Sequence, residues 1–80
     1  MEVKRMFEKI KELIVNYVDV NADDITEESR FAEDLGFNSY DFMSLLGDLE
    51  NEFGVTVDES DVIDIHTVGE AVKYLEELKK

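Results

Sequence analysis

Apolar residues recur along the first part of this chain at steps of three and four, with polar residues filling the gaps. Val3, Met6, Phe7, Ile10, Leu13, Ile14 and Tyr17 fall on one face of a 3.6-residue period, which predicts an amphipathic helix over residues 2–18. The periodicity then lapses. From 19 to 36 the chain carries Asn21, Asp23, Asp24, Thr26 and Ser29 with few apolar residues, the pattern of a loop that Val20, Ile25, Phe31 and Leu35 can anchor. Loops longer than about 12 to 15 residues are uncommon in compact domains unless they serve a function. The length of this one directs attention to the residues at its C-terminal end.

Helical spacing resumes after Asn38, a good cap for a helix start, and Asp41 three residues on predicts a capping box. Phe42, Leu45, Leu46, Leu49 and Phe53 form the apolar stripe of this second helix, and Gly54 can take the left-handed conformation that ends it. Between 55 and 66 the acidic residues Asp58, Glu59, Asp61 and Asp64 surround Val57, Val62, Ile63 and Ile65, enough for a short helical turn or two. Thr67 with Glu70 predicts a second capping box, after which Val68, Ala71, Val72, Leu75 and Leu78 continue at helical spacing. Lys73, Lys79 and Lys80 fall in the later part of that helix, where positive charge favours its dipole. With no proline, no repeat and no sustained alternation, the expected class is all-α. The expected architecture is a four-helix bundle of three longer helices and one short, with a long loop between the first two, forming a single domain over residues 1–80.

Composition narrows the function. Eighty residues bury only about 60% of the surface that the unfolded chain exposes. With no cysteine, packing alone must hold the fold, and neither a disulfide framework nor a thiolate metal site is available. Twenty-one acidic against eight basic side chains leave a net charge of −13, which repels nucleic acid and anionic lipid and favours basic protein partners. Glu2, Lys4, Arg5, Glu8 and Lys9 interrupt any apolar run near the start, so neither a signal peptide nor membrane insertion is expected, and a cytoplasmic monomer is.

The informative segment is 31–53, Phe-Ala-Glu-Asp-Leu-Gly-Phe-Asn-Ser-Tyr-Asp-Phe-Met-Ser-Leu-Leu-Gly-Asp-Leu-Glu-Asn-Glu-Phe. A long loop, an Asp-Leu-Gly turn, a serine in the first turn of an amphipathic helix and an acidic helix ending in Glu-Phe resemble the acyl carrier proteins. The likeness extends, at weaker identity, over nearly the whole chain. It implies that Ser39 bears 4'-phosphopantetheine, placed there from coenzyme A by a phosphopantetheinyl transferase, and that the protein catalyses nothing itself. A helix start, with unpaired amides and the positive end of the dipole, suits an attached phosphate.

The resemblance further implies that acidic residues of helix two dock onto basic patches of acyl-transferring and acyl-modifying enzymes. A spacing of three, four and three places Asp41, Ser44, Asp48 and Asn51 on one such stripe. Resemblance and apolar pattern together nominate Phe31, Leu45, Leu49, Val57, Ile65, Val68 and Ala71 as the lining of an acyl cleft. Where the family usually has Asp-Ser-Leu, this chain has Asn38, Ser39 and Tyr40, and Phe37 stands where small residues are common. Phe37 and Tyr40 are therefore expected either to crowd the mouth of that cleft or only to pack the loop onto helix two.

Two other features carry less. Asp19, Asn21 and Asp23 open like a calcium-binding loop, but Asp24 replaces its turn glycine and Arg30 its closing glutamate. His66 has no nucleophile or metal-ligand companion, so a cap or surface role is expected and no metal site is assigned. The cargo implied is an acyl intermediate of fatty acid, polyketide or related biosynthesis. Alternatives are an aminoacyl or peptidyl carrier, which is generally less acidic, and an unmodified acidic adaptor for basic proteins. Charge alone carries a prediction: self-repulsion among 13 excess negatives should make the melting temperature rise with modest sodium chloride. A flat response would remove repulsion as a main contribution.

Overall fold

The computed structural model describes residues 2–79. Helix α1 spans Glu2–Ile14, α2 Ser39–Phe53, α3 Glu59–Val62 and α4 Val68–Leu78, and the long loop contains one 3₁₀ turn at Ala22–Asp24. Three longer helices and one short one, with no strand among the described residues, make the expected all-α bundle. Met6, Ile10 and Ile14 from α1, Leu45 and Leu49 from α2, and Val68 and Leu75 from α4 are all but sealed from solvent. Burial of each such side chain stabilises by roughly 1.5–3 kcal/mol, and α1 achieves it by packing on α4 and, over a narrower area, on α2. The side chain of Val3, expected on the same stripe, lies outside the described residues.

Helix α1 stops as a regular helix four residues before the expected end. The amides of Asn16 and Tyr17 bond the carbonyls of Leu13 and Ile14, three residues back, so the last turn tightens instead of propagating. Tyr17 keeps its place on the buried side, half-buried against the core. Helix α4 likewise ends at Leu78, which leaves Lys73 within the helix and Lys79 as its cap, while Lys80 lies outside the described residues. The Lys79 ammonium donates to the carbonyl of Phe53 at the end of α2, 3.3 Å away.

The long loop is held to α4 by backbone bonds. Val68 N–H donates to the Ser29 carbonyl at 3.0 Å and Gly69 N–H to the Glu27 carbonyl at 2.8 Å, while Phe31 N–H donates to the His66 carbonyl at 2.9 Å. The approach at Gly69 requires glycine, because a Cβ there would meet the Glu27 carbonyl oxygen at 2.9 Å. Ile25, Phe31, Leu35 and Phe37 are then buried beneath the loop, with Val20 half-buried beside them. Four-residue α3 is too short to stand alone. Asp58 caps it through Ser60 N–H, and the Tyr74 hydroxyl accepts from Asp58 N–H and donates to Asp61. Glu50 of α2 accepts the Val57 N–H just upstream.

The capping box expected at Thr67 is complete. Glu70 N–H donates to the Thr67 hydroxyl, and the Glu70 carboxylate accepts the backbone N–H of Thr67 and of His66, at 2.9 and 2.8 Å. The box expected at Asn38 is one-sided: Asn38 Oδ1 accepts Asp41 N–H at 2.7 Å, without the return bond present at Thr67. The His66 and Thr67 amides hold the Glu70 carboxyl below its ordinary value near 4.5. A carboxyl depressed on folding stabilises above its unfolded pKa, and that contribution is lost as pH falls through the folded one. Glu70→Ala should therefore cost about 0.5–1 kcal/mol near neutrality. Measured by urea unfolding at a series of pH values, the gap between parent and variant should narrow on acidification through the carboxyl range; a constant gap would assign the cost to something other than the charge.

Candidate functional site

The approach to Ser39 is a closed turn. Arg30 N–H donates to Asp34 Oδ2 at 2.8 Å, its guanidinium takes both Asp34 oxygens at 3.1 Å, and it reaches Glu33 at 2.6 Å. The Asp34 and Leu35 amides return to the Arg30 carbonyl, and Phe37 N–H to the Phe31 carbonyl. Gly36, at φ 76°, supplies the left-handed residue that lets the chain reverse. The Arg30 side chain holds the Asp34 carboxyl below the usual carboxylate range, and Asp34 in turn raises Arg30. Both groups are exposed, so the pair orders the turn more than it stabilises the fold.

The turn delivers Phe37 inward and Ser39 outward. Phe37 meets Phe31 edge to face at 5.6 Å and Tyr17 at 6.0 Å, and Phe31 also meets Phe42 of α2 at 5.0 Å. Two residues later Ser39 is the first residue of α2 and is exposed. The Asn38 carboxamide takes the Asp41 amide and the Asn38 carbonyl the Phe42 amide, while the Ser39 and Tyr40 amides have no protein acceptor among the described residues. At α4 the corresponding first amides are all taken, by Ser29, Glu27 and Thr67. A serine hydroxyl beside two free amides at the positive end of a helix fits an attached phosphodiester.

Beside Ser39 opens a pocket of about 170 Å³, floored by Phe31, Phe37, Phe42 and Ile65. Of the residues expected to line an acyl cleft, Phe31 and Ile65 stand here, whereas Leu45, Leu49, Val68 and Ala71 are packed out of reach in the core. Val57 lies half-buried in a separate groove between α2 and α3. The seven do not line one pocket, because Leu45, Leu49, Val68 and Ala71 are buried together in the core cluster. Of the two rings expected at a mouth, Phe37 is a wall of the pocket, but Tyr40 is 81% exposed and lines no part of it. Phe42, read in the sequence only as a core position, is a floor residue whose role its spacing did not reveal.

The residues of the expected docking stripe differ in their surroundings. Asp41 and Ser44 are half-buried and Asn51 is exposed, but Asp48 accepts a hydrogen bond from the Tyr17 hydroxyl and so ties α1 to α2. His66 is exposed at the pocket rim, where its carbonyl takes the Phe31 amide and its own amide bonds Glu70. No helix among the described residues is long and apolar enough to cross a membrane.

Residues 8–75 match the family model described as the phosphopantetheine attachment site. Among solved structures, an acyl carrier protein from Enterococcus faecalis, described for novel structural components that contribute to its high thermal stability, superposes with a TM-score of 0.83. It is 32% identical, over 98% of this chain and 99% of that one. The chain belongs to the acyl carrier protein family, whose covalent prosthetic group is 4'-phosphopantetheine. Its role is that of a carrier for biosynthetic enzymes.

The Tyr17 link generates a pH test. Its hydrogen bond to Asp48, helped by burial, pushes the phenol up from 10.0 to about 12. A group raised on folding stabilises fully below its unfolded pKa and loses that contribution as pH rises through the folded value. Tyr17→Phe should cost about 1 kcal/mol near neutral pH and should remove a phenolate step near 12 from an absorbance titration. The stability gap should close between 10 and about 12; a gap constant across that range would show that the bond does not stabilise the fold.

Proposed function

We propose that Ser39 bears the phosphopantetheine arm and that the protein carries acyl intermediates as thioesters on its terminal thiol for fatty acid, polyketide or related biosynthesis. The observation that carries this reading is the contrast between helix starts: α2 leaves two amides free beside an exposed serine, whereas α4 leaves none. In loading, the Ser39 hydroxyl oxygen forms the bond to phosphorus, the nucleotide part of coenzyme A leaves, and the transferase accepts the proton. The chain's own groups position rather than react. Asn38 fixes the first turn, the buried Phe37 fixes the root of the arm, and the free amides face the phosphate.

Carriage raises the effective concentration of an intermediate at each enzyme that docks the protein. Docking partners are a phosphopantetheinyl transferase and acyl-processing enzymes with basic patches, which the charge of −13 favours while it disfavours nucleic acid. Asp41 and Asn51 serve that docking directly, with Ser44 between them, and Asp48 serves it only through the geometry that Tyr17 holds. The same acidity favours acyl over aminoacyl or peptidyl cargo. A cytoplasmic monomer without catalytic activity of its own completes the reading.

Incubated with coenzyme A and a broad-specificity transferase, the protein should gain one phosphopantetheine by intact mass, and Ser39→Ala should gain none while keeping its helical circular dichroism. The other serines are poorly placed: Ser29 is buried and accepts the Thr26 amide, Ser44 is half-buried within α2, and Ser60 donates to Asp58. A folded parent that several such transferases leave unmodified would sink the carrier reading in favour of an unmodified acidic adaptor.

A further inference from the structure

The pocket beside Ser39 has an aromatic floor, and the family assignment alone gives it no occupant. Its walls include three rings, with Phe31 between the other two: Phe31 meets Phe37 at 5.6 Å and Phe42 at 5.0 Å. Ser39 itself stands on its edge, so whatever occupies it is within a few bonds of the serine oxygen. Its volume of about 170 Å³ is close to that of a dry apolar cavity of roughly 150 Å³ that accepts benzene. Leu45, Leu49, Val68 and Ala71, in the middle of the bundle, are each at most 2% exposed and line no part of this pocket.

We propose that this pocket clasps the pantoyl segment of the arm, its gem-dimethyl carbon resting on Phe31, Phe37 and Phe42. This rests on the reading of Ser39 as the attachment point. The chemistry of the arm makes the match. A single methylene separates its phosphate from a quaternary carbon bearing two methyl groups, so the first apolar part of the arm lies near the phosphate. Methyl groups over aromatic faces remove apolar surface from water on both sides. The next groups along the arm, a hydroxyl and an amide, are polar, and the pocket lining is partly polar too, with Asn38, Glu33 and His66 in it. The acyl end of the arm is too remote from the phosphate to be the first occupant of a pocket that borders the serine. Phe37, 5% exposed and a wall of the pocket, supplies the ring nearest in sequence to Ser39. An arm so held leaves the protein at a defined angle, which restricts the set of enzymes that can receive it.

The test compares apo and holo forms by nuclear magnetic resonance, after intact mass has confirmed one phosphopantetheine on Ser39. The two pantoyl methyl signals should move upfield from their positions in free coenzyme A and show cross-relaxation to Phe ring protons, and the holo form should melt above the apo form. Tyr40→Ala, which alters an exposed ring outside the pocket, should keep all three effects. Phe42→Leu should keep the contact but lessen the upfield shift, and Phe42→Ala should lose both the contact and the melting difference. Should Phe42→Ala fail to fold, Phe42→Leu still decides. Methyl signals at their free positions on a fully modified parent overturn the clasp while leaving the carrier reading intact. Absence of any mass gain overturns the carrier reading first, and the clasp with it.

Discussion

A helix start leaves amides that must bond somewhere, and the way two helices of this protein solve that problem sets the rest of its structure. Helix α4 uses carbonyls of the long loop: Ser29 takes Val68, Glu27 takes Gly69, and the Thr67 hydroxyl takes Glu70. Those bonds fix a segment that has no regular structure of its own over most of its length, at the one place where a missing Cβ allows it to come close. With Glu27 to Phe31 fixed, the Arg30 to Asp34 turn and the buried Phe31 and Phe37 fall into place, and α2 is fed in with its first amides facing solvent. The satisfied start of α4 thus builds the unsatisfied start of α2.

Charge works against this arrangement, and the molecule contains the conflict by placement. Several cations sit where they relieve local repulsion: Lys9 reaches Glu12 and Glu52, Lys11 reaches Glu8, and Arg30 spans Glu33 and Asp34. Such exposed pairs contribute little each, about 0–1 kcal/mol. Their larger effect is directional. Half of the eight basic residues lie in the first eleven positions, so α2, which carries none, presents an acidic surface beside Ser39. Among the described residues the buried polar side chain is Ser29, so the charged groups remain at or near the surface.

Most of the helical frame was legible because it is local. Met6, Ile10 and Ile14, then Leu45, Leu46 and Leu49, then Val68, Ala71, Val72 and Leu75 are buried as their spacing predicts. Gly54 ends α2 in the left-handed conformation, and the Thr67 box is complete. Ser39 stood out because a turn motif and a cap flank it, both of which are short-range signals. What the sequence concealed is non-local. Periodicity places Tyr17 on the buried face but cannot say that its hydroxyl will meet Asp48, 31 residues away. A stripe of polar residues on α2 reads as a free docking face until α1 is packed beside it. The placement of the cleft candidates was hidden for a related reason: a residue's apolar character shows that it is inside, and only the packing of neighbours shows whether space remains next to it. Tyr40 reverses the case, since a large ring beside Ser39 suggested crowding and the backbone direction at the first turn points it into solvent.

A carrier has two opposed mechanical needs. The arm must move freely enough to enter several enzymes, yet each enzyme must find its root in one place. With the arm on Ser39 as proposed, the junction at Phe37, Asn38, Ser39 and Tyr40 meets both within four residues: a ring buried in the core, a capping side chain bonded into the helix, an exposed hydroxyl, and a ring left in solvent. Loosening the first two positions would leave the start of α2 tied to the loop mainly by the Phe37 to Phe31 backbone bond and the Phe31 to Phe42 ring contact. Burying the last two would remove the exposed hydroxyl that the proposed attachment at Ser39 requires. The change from buried to exposed must therefore be abrupt, and a helix start allows that, because an extended cap residue turns the chain between one side chain and the next. The location of Ser39 is in this sense a mechanical consequence of the helix boundary, and the free amides at that boundary add the electrostatic preference for phosphate.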